Sequence, residues 1–264
     1  MYQFNYVKVG SVADAVAALG WSGEAKLLAG GQTLIPTLKQ RLATPGTMID
    51  LSGIADLKVI RREGNTLVIG AMATHAEVAR HADVKAAIPA LAKLAGGIGD
   101  PAVRHAGTIG GSVANNDPAA DYPAAVLALN ATVLTNKREI AADSYFQGLF
   151  TTALDASEII TAIRFPVPEK AAYAKYEQRA SRYALVGVFV AKGSGGVRVA
   201  VTGAGSSGVF GSTECEKALT ASFTAEALKA VTLPATGLLS DLHASAEYRA
   251  AMIPVVAARA VAMA

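Results

Sequence analysis

Cysteine is almost absent from this sequence, and its scarcity excludes two kinds of site. Cys215 is the only cysteine among 264 residues. One thiol cannot form a disulfide within the chain, and it cannot supply the set of cysteine ligands that an iron–sulfur cluster needs. The surrounding segment TECEKALTA has a helical pattern. We therefore interpret Cys215 as a small packing residue of that helix, with a reactive thiol as the alternative.

Long apolar runs and blocks of like charge are also missing. Hydrophobic residues make up 52% of the chain, but no run reaches 18 residues, which argues against a membrane span. The net charge of +3 is spread along the sequence, so no basic patch for nucleic acid is indicated. The first twenty residues lack a basic stretch followed by an apolar core. We therefore expect no secretory signal and a cytoplasmic location.

The common catalytic and metal-binding patterns cannot be found either. The four histidines, at positions 75, 81, 105 and 243, form no i, i+4 pair and have no carboxylates in metal-ligand order. No Ser-His-Asp set or pair of catalytic carboxylates follows from the spacing. Asp117 and Asp121 are four residues apart, but Pro118 favours a loop or a helix start between them. One of them could bind ribose hydroxyls, or it could simply favour a helix N-terminus.

The order of predicted elements indicates an α+β fold. Ser11 is a good N-cap for a helix that ends at Gly20, and Gly64 and Asn65 form the turn of a predicted hairpin. HAEVARHA and DVKAAIPALAKLAG are predicted helices. Prolines 166 and 168 indicate a boundary, beyond which three strands precede helices from about Thr213 to the end. This order lacks the regular β–α alternation of a doubly wound sheet.

Two glycine clusters are the most informative features. The first is LLAGGQTL, residues 27–34, and the second is GTIGGSVAN, residues 107–115. Glycine permits positive φ and a close approach of the backbone to a ligand. Successive amide groups there could converge on an anion, helped by the hydroxyls of Thr33, Thr108 and Ser112. Neither cluster has a Walker lysine, so together they predict a tightly bound, diphosphate-containing cofactor. Two ordinary turns are the alternative.

A third glycine-rich segment, GAGSSG at 203–208, matches the dinucleotide pattern G-x-G-x-x-G after a predicted strand. A dinucleotide site requires that the pattern open directly into a helix. Here VFGST intervenes, so we interpret the segment as a connection.

At the two clusters the sequence resembles the FAD-binding medium subunit of molybdenum hydroxylases, such as aerobic carbon monoxide dehydrogenase. It is also similar to the middle region of xanthine dehydrogenase. KLLAGGQTLIPTLKQRL resembles the first flavin motif of that family, and GDPAVRHAGTIGGSVANNDPAADYPAAVLAL resembles the second. The likeness continues through EIITAIRFP, YAKYEQRASRYALV and GVRVAVTGAG to ECEKAL, so it spans nearly the whole chain.

The resemblance implies a two-lobed FAD-binding domain of the vanillyl-alcohol-oxidase (PCMH) type. Its lobes would be residues 1–56 and 57–166. A C-terminal domain, 167–264, would be an antiparallel sheet backed by helices. The first motif would bind the FAD pyrophosphate through Leu27, Leu28, Ala29, Gly30, Gly31, Gln32, Thr33 and Leu34. The second motif would oppose it through Thr108, Ile109, Gly110, Gly111, Ser112 and Asn115.

Five further positions match family contacts to FAD. Asp121 would bind the adenosine part, Ile98 and Ile160 would make apolar contacts, and Lys175 would lie near the flavin end. Tyr183 would lie next to the isoalloxazine ring, although the segment between positions 179 and 184 is shorter than in some relatives.

The implied activity is that of an oxidoreductase subunit that binds FAD non-covalently. A large subunit would carry the molybdenum cofactor, and a small subunit would pass electrons from two [2Fe–2S] clusters to this FAD, in a dimer of heterotrimers. FAD can accept electrons singly and release them in pairs to an external acceptor. Gln32 occupies a position where carbon monoxide enzymes often have histidine, so the resemblance does not identify the substrate of the complex. A stand-alone flavin oxidoreductase and a non-catalytic nucleotide-binding or assembly protein are the alternatives.

Overall fold

The computed structural model describes residues 1–20 and 24–264, and it confirms the α+β fold. The first unit is a three-stranded parallel sheet in the order β1-β3-β2. Its elements are β1 (Asn5–Lys8), α1 (Val12–Leu19), β2 (Ala25–Leu28), α2 (Leu34–Lys39) and β3 (Thr47–Asp50). The predicted cap of α1 is confirmed, since Ser11 Oγ accepts from Asp14 N and Gly20 follows the helix.

The second unit is a five-stranded antiparallel sheet in the order β4-β5-β10-β6-β7, covered by helices. Its strands are β4 (Ile60–Glu63), β5 (Thr66–Gly70), β6 (Thr132–Thr135), β7 (Glu139–Ala141) and β10 (Ile160–Pro166). Its helices are α3 (His75–Arg80), α4 (Ala82–Ala87), α5 (Pro89–Gly96), α6 (Pro101–Ala106), α7 (Ile109–Asn115), α8 (Tyr122–Ala128) and α9 (Ala142–Tyr145). A small hairpin joins β8 (Phe146–Gly148) to β9 (Thr151–Thr152). The predicted β4–β5 turn is confirmed, with Gly64 at φ +60°.

The third unit is a four-stranded antiparallel sheet in sequence order. Its elements are β11 (Lys170–Glu177), β12 (Ala184–Gly193), β13 (Gly196–Thr202), β14 (Phe210–Gly211), α10 (Thr213–Ala221) and α11 (Ala246–Val261). Alternate side chains of a strand point to opposite faces of its sheet. Tyr173 and Phe189 therefore join the core of the second unit, whereas Val188 and Val201 pack with Cys215 and Ile253 of α10 and α11.

One predicted helix is wrong. DVKAAIPALAKLAG was expected to form one helix, but the chain forms α4 and α5 with a break at Ile88 (φ −140°, ψ 75°). The residue before a proline is driven out of the α region, and Pro89 is tolerated only because it starts the second helix. The three sheets lie within residues 5–50, 60–166 and 170–211. The division at 1–56, 57–166 and 167–264 stays a prediction.

An ion pair between buried Glu158 and half-exposed Arg138 lies just before β10. The Glu158 carboxylate has no exposed side-chain area and lies 3.0 Å from Arg138 Nη2. It also accepts hydrogen bonds from Thr135 Oγ1 and Asp155 N. The hydrogen bonds from Arg138, with those from Asp155 and Thr135, lower the pKa of Glu158 to about 2.

This pair predicts a pH-dependent stability. Because the folded pKa lies below the ordinary value of 4.5, the stabilisation is complete above pH 4.5 and is lost as the pH falls towards 2. Glu158→Gln should therefore lower the free energy of unfolding by about 2 kcal/mol at pH 7, since Arg138 is half exposed and the full shift overstates the effect. The difference in unfolding free energy between the wild-type chain and Glu158→Gln should be smaller at pH 3. Urea unfolding at both pH values measures it, with exposed Glu226→Gln as control; an equal loss at both would contradict the assignment.

Candidate functional site

The two glycine clusters contact each other. A Cβ atom built on Gly30 would lie 2.0 Å from Ala106 O and 2.7 Å from Gly107 Cα. One on Gly111 would lie 3.6 Å from the Cβ of Ala29. Glycine is thus required at position 30, because any side chain would push the second cluster away. The fold brings together the two bends that the sequence analysis singled out.

The first cluster is a tight turn between β2 and α2 with a run of unpaired amides. Gly31 has φ +70°, and Gln32 and Thr33 are exposed. No described residue accepts a hydrogen bond from the five successive N–H groups of residues 30–34. Thr33 caps α2 without a hydrogen bond from its side chain, so its hydroxyl also lacks a partner among the described residues. Successive backbone amides without partners in a glycine turn are the kind of feature that binds an anion.

The second cluster differs from the expectation, because most of it is a helix whose amides are already used. Thr108 caps α7 and is buried, and Asn115 is its last residue. Ser112 is half-buried, and its hydroxyl has no partner within the described chain. The amides of residues 109–112 are all occupied, from Ile109 N to Ala73 O, Gly110 N to Ala71 O, Gly111 N to Thr108 Oγ1 and Ser112 N to Thr108 O. The expectation that both clusters present free amides is therefore wrong for the second one, which offers hydroxyl groups.

Asp121 and Lys175 form one buried cluster. Lys175 Nζ lies 3.1 Å from Asp121 Oδ1, and their side chains are 8% and 5% exposed. The Tyr173 hydroxyl also donates to Asp121. Burial raises the pKa of Asp121, while Lys175 and Tyr173 act in the opposite direction. The resemblance implied that Asp121 binds the adenosine part and that Lys175 lies near the flavin end, and in this structure the two side chains form one ion pair.

The remaining predicted residues differ in their exposure to solvent. Ile98 is half-buried in the turn after α5, and Ile160 is 5% exposed at the start of β10. Tyr183 is 54% exposed, and its pKa is raised by partial burial and by the negative charges of Asp117 and Asp121. Tyr183 therefore lies near the segment that follows the second cluster.

The sequence analysis missed several residues that hold this region. Arg104 donates to Ile98 O and Gly99 O, and the single hydroxyl of buried Thr202 lies within hydrogen-bond distance of both Ala120 O and Pro118 O. Arg104 lies inside the quoted second motif, so its position could have drawn attention to it. No local pattern identifies Thr202, because its partners are distant in sequence.

The other candidates have structural roles. Cys215 is fully buried in α10, and burial raises the pKa of its thiol, so the packing interpretation is confirmed over the reactive one. His75 is buried, and desolvation with nearby Arg104 lowers its pKa to about 4. GAGSSG leads into β14 and opens no helix, as expected. Within residues 1–20 and 24–264, no group of three metal-ligating side chains occurs, and no helix is long and apolar enough to cross a membrane.

Comparison with known proteins identifies a matching family and several relatives of this chain. Residues 2–168 match the family described as the FAD binding domain in molybdopterin dehydrogenase. The chain is 38% identical to the carbon monoxide dehydrogenase medium chain of Afipia carboxidovorans, covering 98% of this chain and 95% of the relative. It is 35% identical to that of Hydrogenophaga pseudoflava, covering 98% and 96%.

A solved structure extends the likeness to the whole fold. Quinoline 2-oxidoreductase from Pseudomonas putida 86 superimposes with a TM-score of 0.89 at 27% identity, covering all of this chain and 97% of that one. The named medium chains are parts of multi-subunit enzymes. The match of residues 2–168 and the near full-length relatives agree with the geometry of the two glycine motifs. The chain therefore belongs to the family of FAD-binding domains in molybdopterin dehydrogenases.

Proposed function

We propose that this chain is the FAD-binding medium subunit of a molybdenum-containing hydroxylase or dehydrogenase. One observation carries the proposal: five successive amides without an acceptor among residues 1–20 and 24–264 lie on a turn that contacts the second glycine motif. A diphosphate carries negatively charged oxygens that can accept hydrogen bonds from these amides. The relatives named as medium chains of carbon monoxide dehydrogenase support the same function.

The residues that line the two motifs fit the diphosphate of FAD. The amides of residues 30–34 and the Thr33 hydroxyl would donate to one side, and the Ser112 hydroxyl would donate from α7. Asn115 would lie beside Ser112, one helical turn further on. Ile98, Ile160 and Tyr183 would contact the rest of the cofactor. The buried pair of Asp121 and Lys175 would act indirectly, by supporting the residues that line the site. Cys215 lies in the C-terminal helical layer and no histidine lies within the glycine clusters 27–34 and 107–115, so binding would be non-covalent.

When bound, FAD supplies the capacity to take electrons one at a time and to release them in pairs. This chain's own part is to hold the cofactor, keep its phosphates neutralised and orient its ring. The three proposed units, 1–56, 57–166 and 167–264, would supply the first motif, the second motif and Lys175 with Tyr183, respectively.

The proposed assembly contains two other subunits. A large one would carry the molybdenum cofactor and oxidise the substrate, and a small one would carry two [2Fe–2S] clusters. Electrons would pass from the clusters to FAD and then to an external acceptor. We propose a dimer of such heterotrimers in the cytoplasm. The relatives act on chemically different substrates, as the names carbon monoxide dehydrogenase and quinoline 2-oxidoreductase indicate, so the substrate depends on the large subunit.

Purification tests this function. The chain should be yellow, and denaturation should release about one flavin for each polypeptide. A colourless chain that cannot be loaded with FAD would overturn the proposal and favour an assembly protein. Affinity purification of the tagged chain from its native host should recover molybdenum and iron in addition to flavin. A yellow chain that turns over alone and recovers neither metal would favour a stand-alone flavin oxidoreductase.

A further inference from the structure

We propose that Lys175, Arg104 and Arg182 are positioning residues, which fix two backbone segments that border the flavin site. The segments are the turn 97–99, which contains Ile98, and the loop 178–183, which ends at Tyr183. The proposal rests on the proposed function only in assigning these segments to the flavin. The mechanical link between them stands on contacts within the chain.

The Lys175 ammonium group is saturated by acceptors of the protein. It lies 3.1 Å from Asp121 Oδ1, and it donates to Gly97 O at 3.0 Å and Arg182 O at 2.8 Å. A lysine has three N–H donors and no acceptor, so these partners use all of them. With a side chain only 8% exposed, Lys175 has no donor left for a cofactor. It can affect a flavin through what it holds.

Cations hold all three carbonyl groups of the turn. Lys175 binds Gly97 O, and Arg104 Nη1 binds Ile98 O at 2.9 Å and Gly99 O at 2.6 Å. Arg182 Nη1 adds a longer contact of 3.5 Å to Gly99 O. Gly99 has φ +49°, so the turn adopts a conformation that few other residues would accept. Three carbonyl dipoles fixed by three charged side chains leave the Ile98 peptide little freedom.

Backbone hydrogen bonds close the loop 178–183, and Lys175 also binds this loop. Gln178 N donates to Tyr183 O, and Arg182 N donates to Gln178 O. Arg182 has φ +62°, an unfavourable conformation for arginine that persists only where surrounding contacts enforce it. Its carbonyl group accepts from Lys175. Lys175 therefore ties the segment that carries exposed Tyr183 to the turn that carries Ile98.

Hydrogen–deuterium exchange of the full-length, FAD-free chain tests the link without the cofactor. Lys175→Met should speed exchange of the bonded amides in peptides covering 94–100 and 178–184 by roughly tenfold or more, since each loses a charged anchor. Lys192→Met is the matched control. Lys192 is exposed on the neighbouring strand and has no side-chain partner within the described residues, so exchange should not change. Unchanged exchange in Lys175→Met would overturn the proposal.

A second variant covers the case in which Lys175→Met leaves buried Asp121 unpaired and destabilises the whole chain. Lys175→Met/Asp121→Asn removes both charges and should restore protection of the core sheets, but not of the two segments. Protection restored everywhere would mean that the lysine only neutralises Asp121, which would also overturn the proposal.

The flavin readout separates positioning from direct contact. In the FAD-loaded chain, Lys175→Met and Arg104→Gln should shift the midpoint potential in the same direction, and the double variant should shift it by less than the sum, because both act on one turn. A shift in Lys175→Met with undisturbed exchange would instead indicate direct action of its charge on the flavin and contradict the proposal. If the wild-type chain binds no FAD, the proposed function fails, while the exchange experiment still decides the link.

Discussion

Gly31→Val is expected to abolish FAD retention while the chain remains folded. Gly31 has φ +70°, and a Cβ atom there would lie 2.9 Å from Ile35 Cγ1 and 3.3 Å from Leu28 Cδ1. Valine would have to leave the left-handed region, and the turn would rotate with it. The amides of residues 30–34 would then lose the arrangement that we propose for diphosphate binding. We expect FAD affinity to fall on the order of 100-fold or more, equivalent to about 3 kcal/mol.

Gly64→Val is the matched control for this substitution. Gly64 also has positive φ, at +60°, but nothing lies within 4 Å of an added Cβ, so neither glycine motif contacts this position. It should suffer similar backbone strain without losing flavin. Flavin absorbance of the purified variants and titration of the apoprotein measure both effects. If Gly31→Val retains the wild-type flavin content, the first motif does not bind the diphosphate.

Local sequence patterns predicted much of the fold because they reflect local physics. The N-cap at Ser11, the hairpin turn at Gly64 and the glycine-rich connection before β14 depend on residues close in sequence, and the structure confirms each. The break at Pro89 was missed because apolar residues continue with helical spacing on both sides of it. A proline's effect on the preceding residue outweighed that periodicity.

The candidate site was predictable only in part. The glycine pairs were found because glycine has few other reasons to cluster, and the structure brings them into contact. Which amides stay free depends on what packs beside them: the amides at 109 and 110 are occupied by carbonyls of the segment after β5. The contact of Lys175 with Asp121 depends on how the third sheet docks on the second unit. No short-range pattern in the sequence contains that information.

Within the third unit, a second buried cation, Arg249, attaches α11 to the sheet. Its side chain is 2% exposed, and its Nη1 donates to Leu185 O and Gly203 O, both at 2.7 Å. Its Nη2 binds both carboxylate oxygens of Asp241 at 2.8–2.9 Å. Gly203 N in turn donates to Pro118 O, just after the second glycine motif. One guanidinium group thus joins the C-terminal helix to β12 and to the residue after β13, whose backbone amide in turn bonds the border of the candidate site.

Arg249→Met should therefore lower the free energy of unfolding by about 3–5 kcal/mol, because it leaves two buried carbonyls and a carboxylate without their partner. At 2–4 °C for each kcal/mol in a chain of this size, the melting temperature should fall by about 10 °C. Arg259→Met, on an exposed position of the same helix, should change stability by less than about 0.5 kcal/mol. Thermal unfolding followed by circular dichroism measures both variants. Equal effects would mean that the buried guanidinium adds nothing beyond helix packing. A loss confined to Arg249→Met would indicate that this charge holds α11 on the sheet of the third unit.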